Sequence, residues 1–438
     1  MTAEIAVLNR NAVALAADSA VTLRLPDGST KIYQTNKLFT LSKFEPVGIM
    51  VYGNADFMGV PWETIVKRYR AGLSTRSFGR LEEYGEDFLT FVERNSKLFP
   101  PDRQESHCYQ WVRFWLRRLK AHLRSALEEK LKSEGPQTDG AVRALFRGIF
   151  KAEVSHLRKH RILPGFKGKG PGTLLRKYRA AVKSAINDEL QKLAKVVPLP
   201  QLIAAALVAI GRDNYWHNES GIVAAGFGSE EFFPSLRCYR VDSVIAGSLR
   251  AKEEVNRRTD VTTGNSAVVT AFAQSEMVSL FMNGIDDDYA DFVSSFVGQS
   301  FIDGYPALIG EMLEKDVPNS RRSRIIRRLR SVGERLVSEL GKGISQYARE
   351  MHSSPIVEIV DHLPKEELAA MAEALVNLTS FKRHVTKQAE TVGGPIDVAV
   401  ISRGDGFIWI KRKHYFDTTL NQHFLSNYYN DVKGSRRP

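Results

Sequence analysis

Apolar residues follow two rhythms along this chain. Near the N-terminus they form short, nearly unbroken runs: Ala3 to Val7, Ala12 to Ala17, Leu38 to Leu41, and Val47 to Tyr52 closing on Gly53. Runs of this length bounded by turn residues, such as Pro26-Asp27-Gly28, predict buried strands. The same rhythm returns in Gly221–Phe227 and Leu236–Asp242. It appears last after Gly393-Gly394, where Ile396–Ile401, an Arg403-Gly404-Asp405-Gly406 turn and Phe407–Ile410 predict a hairpin. Between these runs the period changes. Trp111, Trp115, Leu119 and Leu123 recur every fourth residue, with Arg113, Arg117, Arg118, Lys120 and Arg124 alongside, as in an amphipathic helix with a basic face. Leu175, Tyr178, Val182, Ile186 and Leu190 predict a second helix over 172–196. Asp286-Asp287-Asp288 is placed to cap a helix beginning near Tyr289. Ile325, Ile326, Leu329, Val332 and Leu336 predict a helix through the arginine-rich run 321–330, with the charges on its solvated face. Pro364 opens a helix whose Leu368, Met371, Ala372 and Leu375 point inward.

The alternation of strand and helix blocks predicts an α+β protein. With 438 residues and 43% hydrophobic content, the chain can bury a large core and form more than one structural unit. The longest apolar segment, 199–210, is too short to span a bilayer and contains Pro200 and Gln201, so a buried helix is expected. Met1-Thr2-Ala3-Glu4 has no basic start and no long apolar run behind it, unlike a secretory signal. Cys108 and Cys238 carry no metal or redox spacing and read as reduced thiols, which suits a cytoplasmic protein.

Charge is unevenly spread. Residues 54–215 carry 30 Lys plus Arg against 17 Asp plus Glu, a local excess of 13, while the whole chain carries +12. The strand-rich remainder is therefore almost neutral, and the excess belongs to the first helical block. Such a surface attracts phosphate backbones, with Trp and Tyr available to stack on bases. It also suits an acidic protein partner, or, more simply, the solvated faces of ordinary helices whose tryptophans are core. The segment 164–173, rich in Gly and Lys, is no Walker loop, because Pro171 stands where that motif requires lysine. His156 and His160 are four apart, but no carboxylate or thiol completes a metal set at a recognisable spacing. No cofactor is implied.

The candidate chemistry lies at the start of the chain. With Met1 removed, which is usual before a residue as small as threonine, Thr2 offers a hydroxyl nucleophile beside its own α-amine. That amine has a reference pKa of about 7.7–8.0 and is partly neutral near physiological pH, so it can act as the base. Asp18 ends the second apolar run, and a carboxylate there needs a partner. Lys37 precedes Leu38-Phe39, and Gly53 closes the next strand, where a glycine lets a backbone N–H approach a reacting carbonyl.

This order resembles the proteasome β-subunit, or HslV-like, family of N-terminal nucleophile hydrolases, including the Anbu-type peptidases. Thr2, Asp18, Lys37 and Gly53 fall on the family's nucleophile, acid, lysine and glycine positions. The resemblance covers residues 2–60, 220–285 and 365–412. It implies a four-layer αββα sandwich assembled from 1–60, 219–285 and 363–438, with a basic helical insertion at 61–218 and a second helical insertion at 286–362. It further implies amide, most directly peptide, hydrolysis by Thr2, with Lys37 stabilising developing charge and lowering the amine pKa, Asp18 holding Lys37, and the Gly53 N–H serving the oxyanion. Peptide or protein substrates, a homo-oligomer and an unfoldase partner are expected from the family. The chain departs from it at Ala389-Glu390-Thr391-Val392-Gly393, where the family has Asp-x-x-Ser-Gly, and at Phe272-Ala273, where it has a serine. Those departures keep a second reading open: a catalytically degenerate scaffold whose basic insertion binds a protein or nucleic acid.

Overall fold

The computed structural model describes residues 3–24, 27, 29–168, 171–314, 316–386, 393–414, 416, 417, 419–423 and 426. Strands and helices alternate in blocks. The first block is β1 (Ala3–Asn9), β2 (Ala12–Ala17), β3 (Ala20–Arg24), β4 (Thr30–Gln34), β5 (Leu38–Thr40), β6 (Val47–Gly53) and the short pair β7 (Asp56–Phe57) and β8 (Val60–Pro61). Six helices follow: α1 (Trp62–Leu73), α2 (Leu81–Arg94), α3 (Pro101–Glu134), α4 (Asp139–Lys159), α5 (Pro171–Leu190) and α6 (Leu199–Ile210). The middle strands are β9 (Ser220–Gly226), β10 (Ser235–Ile245), β11 (Ser248–Glu253), β12 (Thr259–Asp260) and β13 (Ala267–Ala273). Then come α7 (Glu276–Asn283), α8 (Asp287–Gly298), α9 (Tyr305–Met312), α10 (Asn319–Ala348), α11 (Ser354–His362) and α12 (Lys365–Val385) before β14 (Asp397–Ser402) and β15 (Gly406–Lys411). The protein is thus mixed, with antiparallel strand pairing and many helices, in two compact units.

The first unit comprises 1–34, 261–400 and 408–414. Its sheet runs β13-β1-β2-β14-β15. β1 is antiparallel to β2 and to β13, with Ile5 opposite Ala16 and Ala271. Alternate residues Ile5, Val7, Ala14 and Ala16 pack with Leu368, Ala372, Leu375 and Val376 of α12. The alanines of β2 carry so little bulk that the helix can lie close on the strand. Every residue of β1 and β2 is buried, on both strand faces, which is why the sequence shows runs here and not alternation. The β1–β2 turn is fixed by Asn9: its Oδ1 accepts from the amides of Asn11 and Ala12, and its Nδ2 donates to the carbonyls of Val360 and Leu363.

The second unit comprises 35–260, 401–407 and 415–438. Its sheet runs β11-β10-β9-β6-β5, with β12 on β10. Trp62, Ile65 and Tyr69 of α1 and Tyr84 and Phe88 of α2 form a core with Ile49, Val51, Ile222 and Val241. The helices α3 to α6 share a second core, in which Trp111, Trp115, Phe146, Val182, Ile186 and Leu202 are buried together with Ile245 of β10. Trp111 and Trp115 are therefore core residues, one of the alternatives the sequence left open, and are not available to stack on bases. Part of the basic face is also paired within the helical block. Arg113, Arg117 and Lys120 converge on Glu189 at 3.3, 3.1 and 3.2 Å, and these cations hold its carboxyl below the usual range against the opposing effect of burial.

The expected single helix over 172–196 is broken. Tyr178 takes non-helical angles, with its hydroxyl accepting from the Ala246 amide at 3.2 Å, and a 3-10 turn replaces the helix from Gln191 to Lys195. Tertiary hydrogen bonding overrides the periodicity there. The side chain of Leu175, expected to point inward, lies outside the described residues.

One buried ion pair ties the helical block to the sheet. Arg250 on β11 and Asp242 on β10 are both wholly enclosed, with Nε to Oδ1 at 2.9 Å. The guanidinium also donates to the carbonyls of Ile210, Arg212 and Tyr215, just beyond α6, and lies over the rings of Trp111 and Trp216 at 4.5 and 5.3 Å. Removing one member leaves the other charge buried and unpaired. Asp242→Asn should therefore destabilise the second unit by about 3–5 kcal/mol. Urea unfolding followed by tryptophan fluorescence reads this directly, because the pair sits against Trp111 and Trp216.

Candidate functional site

Asp18 directly follows β2, at the turn into β3, and is 1% exposed. Its carboxylate accepts three backbone N–H groups. Oδ1 takes the Ala3 amide at 3.0 Å, and Oδ2 takes the amides of Ala20 at 3.2 Å and Gly393 at 3.1 Å. The pairing is reciprocal, because the Asp18 amide donates to the Ala3 carbonyl at 3.1 Å, while the Ser19 and Ala20 amides donate to the Gly393 carbonyl at 3.3 and 3.0 Å. A single carboxylate thus clamps the start of β1, the β2–β3 turn and the Gly393-Gly394 segment before β14. The Ala3 nitrogen is the amide that follows Thr2, so the clamp acts one peptide bond from the expected nucleophile. Thr2 itself lies outside the described residues.

Gly394 fits the clamp only as glycine. Its φ is +75°, and a Cβ there would stand 2.6 Å from Ser19 Oγ. That hydroxyl is buried and makes no hydrogen bond among the described residues. Beside the clamp, within the same unit, a cavity of about 450 Å3 opens between Ala20, Ile32, Gly393 and Gly394 on one side and α12 on the other. Asn377, Ser380 and His384 reach it from α12. Their spacing of three and four residues puts them on one helix face.

Lys37 and Gly53 belong to the second unit and are brought to the same end of its sheet. Lys37 immediately precedes β5 and is 3% exposed. Its carbonyl accepts the Val51 amide at 2.9 Å, two residues before Gly53 on β6. Gly53 has φ +87°, and a Cβ there would lie 2.6 Å from the Glu219 carbonyl, so both backbone angle and close approach require glycine.

Ser19 and Glu4 were not singled out by the sequence reading. Glu4 is wholly buried on β1, opposite Ala17 and Phe272. Its only sequence signal is a charge inside an apolar run. Phe272 and Ala273 lie on β13, ahead of the helix that begins at Glu276, and Ala273 has a positive φ of 62°. The departures at Ala389 and Val392, and the compensating positions Glu390 and Thr391, lie outside the described residues, as do the Pro26 and Gly28 of the first hairpin turn and the basic tail 433–438. Ser275 precedes α7. His156 and His160 place their Nε2 atoms 2.9 Å apart. Among the described residues no group of three or more His, Cys, Asp or Glu side chains is arranged to hold a metal ion. Nor is any described helix long and apolar enough to cross a membrane. Cys108 and Cys238 are free and buried, and burial pushes both thiols up to about 12, away from reactivity.

No known family profile matches the sequence, and no curated protein matches it. A structural search returns the helical assembly of the Anbu complex from Pseudomonas aeruginosa, at 9% identity and TM-score 0.26, covering 100% of this chain and 98% of that one. It also returns Anbu (ancestral beta-subunit) from Yersinia bercovieri, at 8% identity and TM-score 0.25, covering 100% and 97%. An Anbu (Gly-1) mutant from Hyphomicrobium sp. strain MC1 matches at 11% identity and TM-score 0.26, covering 100% and 98%. At such TM-scores the site must be argued from its own geometry.

Asn at position 18 would present an NH2 group toward one of the three donors. A hydrogen bond to a charged group contributes about 1.5–3 kcal/mol, so Asp18→Asn should cost at least one such contribution. Hydrogen exchange should quicken at the amides of Ala3, Ala20 and Gly393 while β6 and β9 keep their protection. In the second unit, Gly53→Ala should destabilise by about 1–3 kcal/mol through backbone strain, readable in the same unfolding assay.

Proposed function

We propose that the protein is an N-terminal nucleophile hydrolase that cleaves amide bonds, peptide bonds in the first instance, with Thr2 exposed by removal of Met1. The observation that carries the reading is the Asp18 clamp, which holds the amide next to Thr2 in register with the Gly-Gly segment. In this reading the chain adopts the four-layer αββα sandwich that its sequence resembles, with Lys37 and Gly53 serving the Thr2 nucleophile.

The chemistry then runs as follows. The Thr2 amine takes the hydroxyl proton, directly or through one water, as Oγ bonds to the substrate carbonyl carbon. The Gly53 N–H and the Lys37 ammonium stabilise the tetrahedral oxyanion, a contribution commonly worth about 2.7–4 kcal/mol per donor. The Thr2 ammonium returns its proton to the leaving amine as the C–N bond breaks, leaving an ester on Thr2. Water, deprotonated by the same amine, attacks that ester; the C–Oγ bond breaks, the ammonium reprotonates Thr2 Oγ, and the acid is released. Asp18 acts as a positioning residue with most of its acceptor capacity committed to backbone amides, and the cavity between Ala20 and α12 offers room for a substrate side chain.

The competing reading, a degenerate scaffold, rests on Ala389 and Val392 standing where the family has Asp and Ser. One experiment separates the two. Intact mass of the purified chain should show loss of Met1, and a β-lactone electrophile should add once to the wild type and not to Thr2→Ala. Lys37→Ala should slow that labelling by at least 100-fold. Retention of Met1, or equal labelling of wild type and Thr2→Ala, would exclude Thr2 as the nucleophile.

A further inference from the structure

The helices α8 to α10 of the first unit leave a large apolar surface in water. On α8, Tyr289, Phe292 and Phe296 recur at intervals of three and four and are between 59% and 64% exposed. The stripe would lose its phase beyond Phe296 if the helix continued unchanged. A π-helical turn at Gln299–Gly304 instead supplies a five-residue step to Phe301, from which Tyr305, Leu308 and Met312 continue the stripe at intervals of four, three and four. On α10, Ile325, Leu329, Val332 and Leu336 are spaced four, three and four, the repeat of a coiled-coil seam. Val332 and Leu336 are exposed, and so are Leu340 and Tyr347 further along. The inner side of α10 is meanwhile already packed, because a Cβ on Gly333 would come within 2.3 Å of the Phe301 carbonyl, and one on Gly310 within 2.8 Å of Ile326. The hairpin is thus rigid, with apolar side chains left over on both limbs.

Charge divides along the same limbs. From α8 through α9, residues 287–312, there are five carboxylates and no lysine or arginine; α10 carries eight lysines and arginines against two carboxylates. Arg321, Arg328, Arg335 and Lys342 follow at seven-residue steps, alongside the seam. Asp288 and Asp291 flank the aromatic stripe. Such a surface is complementary to itself under a two-fold rotation, which lays acidic limb on basic limb twice. Its size fits as well. Six aromatic side chains, each burying roughly 150–250 Å2 when covered and more than half exposed on average, offer on the order of 700 Å2, and five exposed aliphatic side chains add to this, beyond the roughly 300–600 Å2 patch of an ordinary monomer. A stable interface needs about 800 Å2 per partner.

We propose that a second copy of this chain docks on this hairpin, the acidic aromatic stripe of α8–α9 in one copy lying on the basic apolar seam of α10 in the other, twice about a two-fold axis. The contact is independent of the chemistry at Thr2.

Charge-swap complementation tests it on the full chain by light scattering after gel filtration. One variant is Asp288→Lys with Asp291→Lys; the other is Arg328→Glu with Arg335→Glu. The wild type should run at a multiple of 49.2 kDa, and each variant alone at half the wild-type mass. An equimolar mixture should recover the wild-type mass, since both acidic–basic contacts are rebuilt across the pair; that recovery also shows that both variants fold. A monomeric wild type, variants of unchanged mass, or no recovery on mixing would each overturn the proposal. So would a monomeric wild type that floats with phosphatidylglycerol vesicles, which would give the surface to lipid.

Discussion

The Asp18 carboxylate is the constraint on which the candidate site depends. A buried carboxylate is costly unless its lone pairs are met, and this one is met by three backbone N–H groups from three separate stretches of chain. Backbone donors cannot rotate away as side chains can. The carboxylate therefore sets the spacing of the first residues of β1, the β2–β3 turn and Gly393 more tightly than packing alone would. The residues it holds and those beside them in the chain are small: Ala3, Ser19, Ala20, Gly393 and Gly394. Small residues leave the backbone accessible, as the proposed site would require.

The helical blocks obey a different economy. The first is attached to its sheet by the enclosed Asp242–Arg250 pair, whose guanidinium also satisfies three carbonyls at the exit of α6. Trp111 and Trp115 lie in a core made mostly by its helices, and three of its cations pair with Glu189. What reads in sequence as a basic binding face is in part paired within the helical block itself. The second helical block does the opposite. It keeps large aromatic residues in water on a hairpin whose inner side is closed by glycine contacts, so its surplus apolar surface cannot be absorbed by repacking.

Much of this was legible beforehand, for identifiable reasons. Strands buried on both faces write themselves as unbroken apolar runs, so β1, β2, β6, β9 and β14 stood out. The amphipathic period marked α3, α10 and α12, and Asp286 capped α8 as expected, accepting from the amides of Asp288 and Tyr289. Asp18 was legible because a charge after a buried strand must be explained. Its partners were not, because the Gly393 amide lies 375 residues away and carries no side-chain signature. Ser19 escaped notice as an ordinary small polar residue.

The sequence by itself determined the local alphabet of this protein: which segments are strands or helices, and which residues are candidates for chemistry. Those follow from nearest-neighbour sterics and periodicity, which are written along the chain. Only the tertiary structure decided that one carboxylate clamps three distant amides, that Trp111 and Trp115 belong to a core, that the helix after Tyr178 bends, and that the seam of α10 stays uncovered. Each of these is a choice among partners far apart in sequence, and burial and hydrogen bonding make that choice in three dimensions.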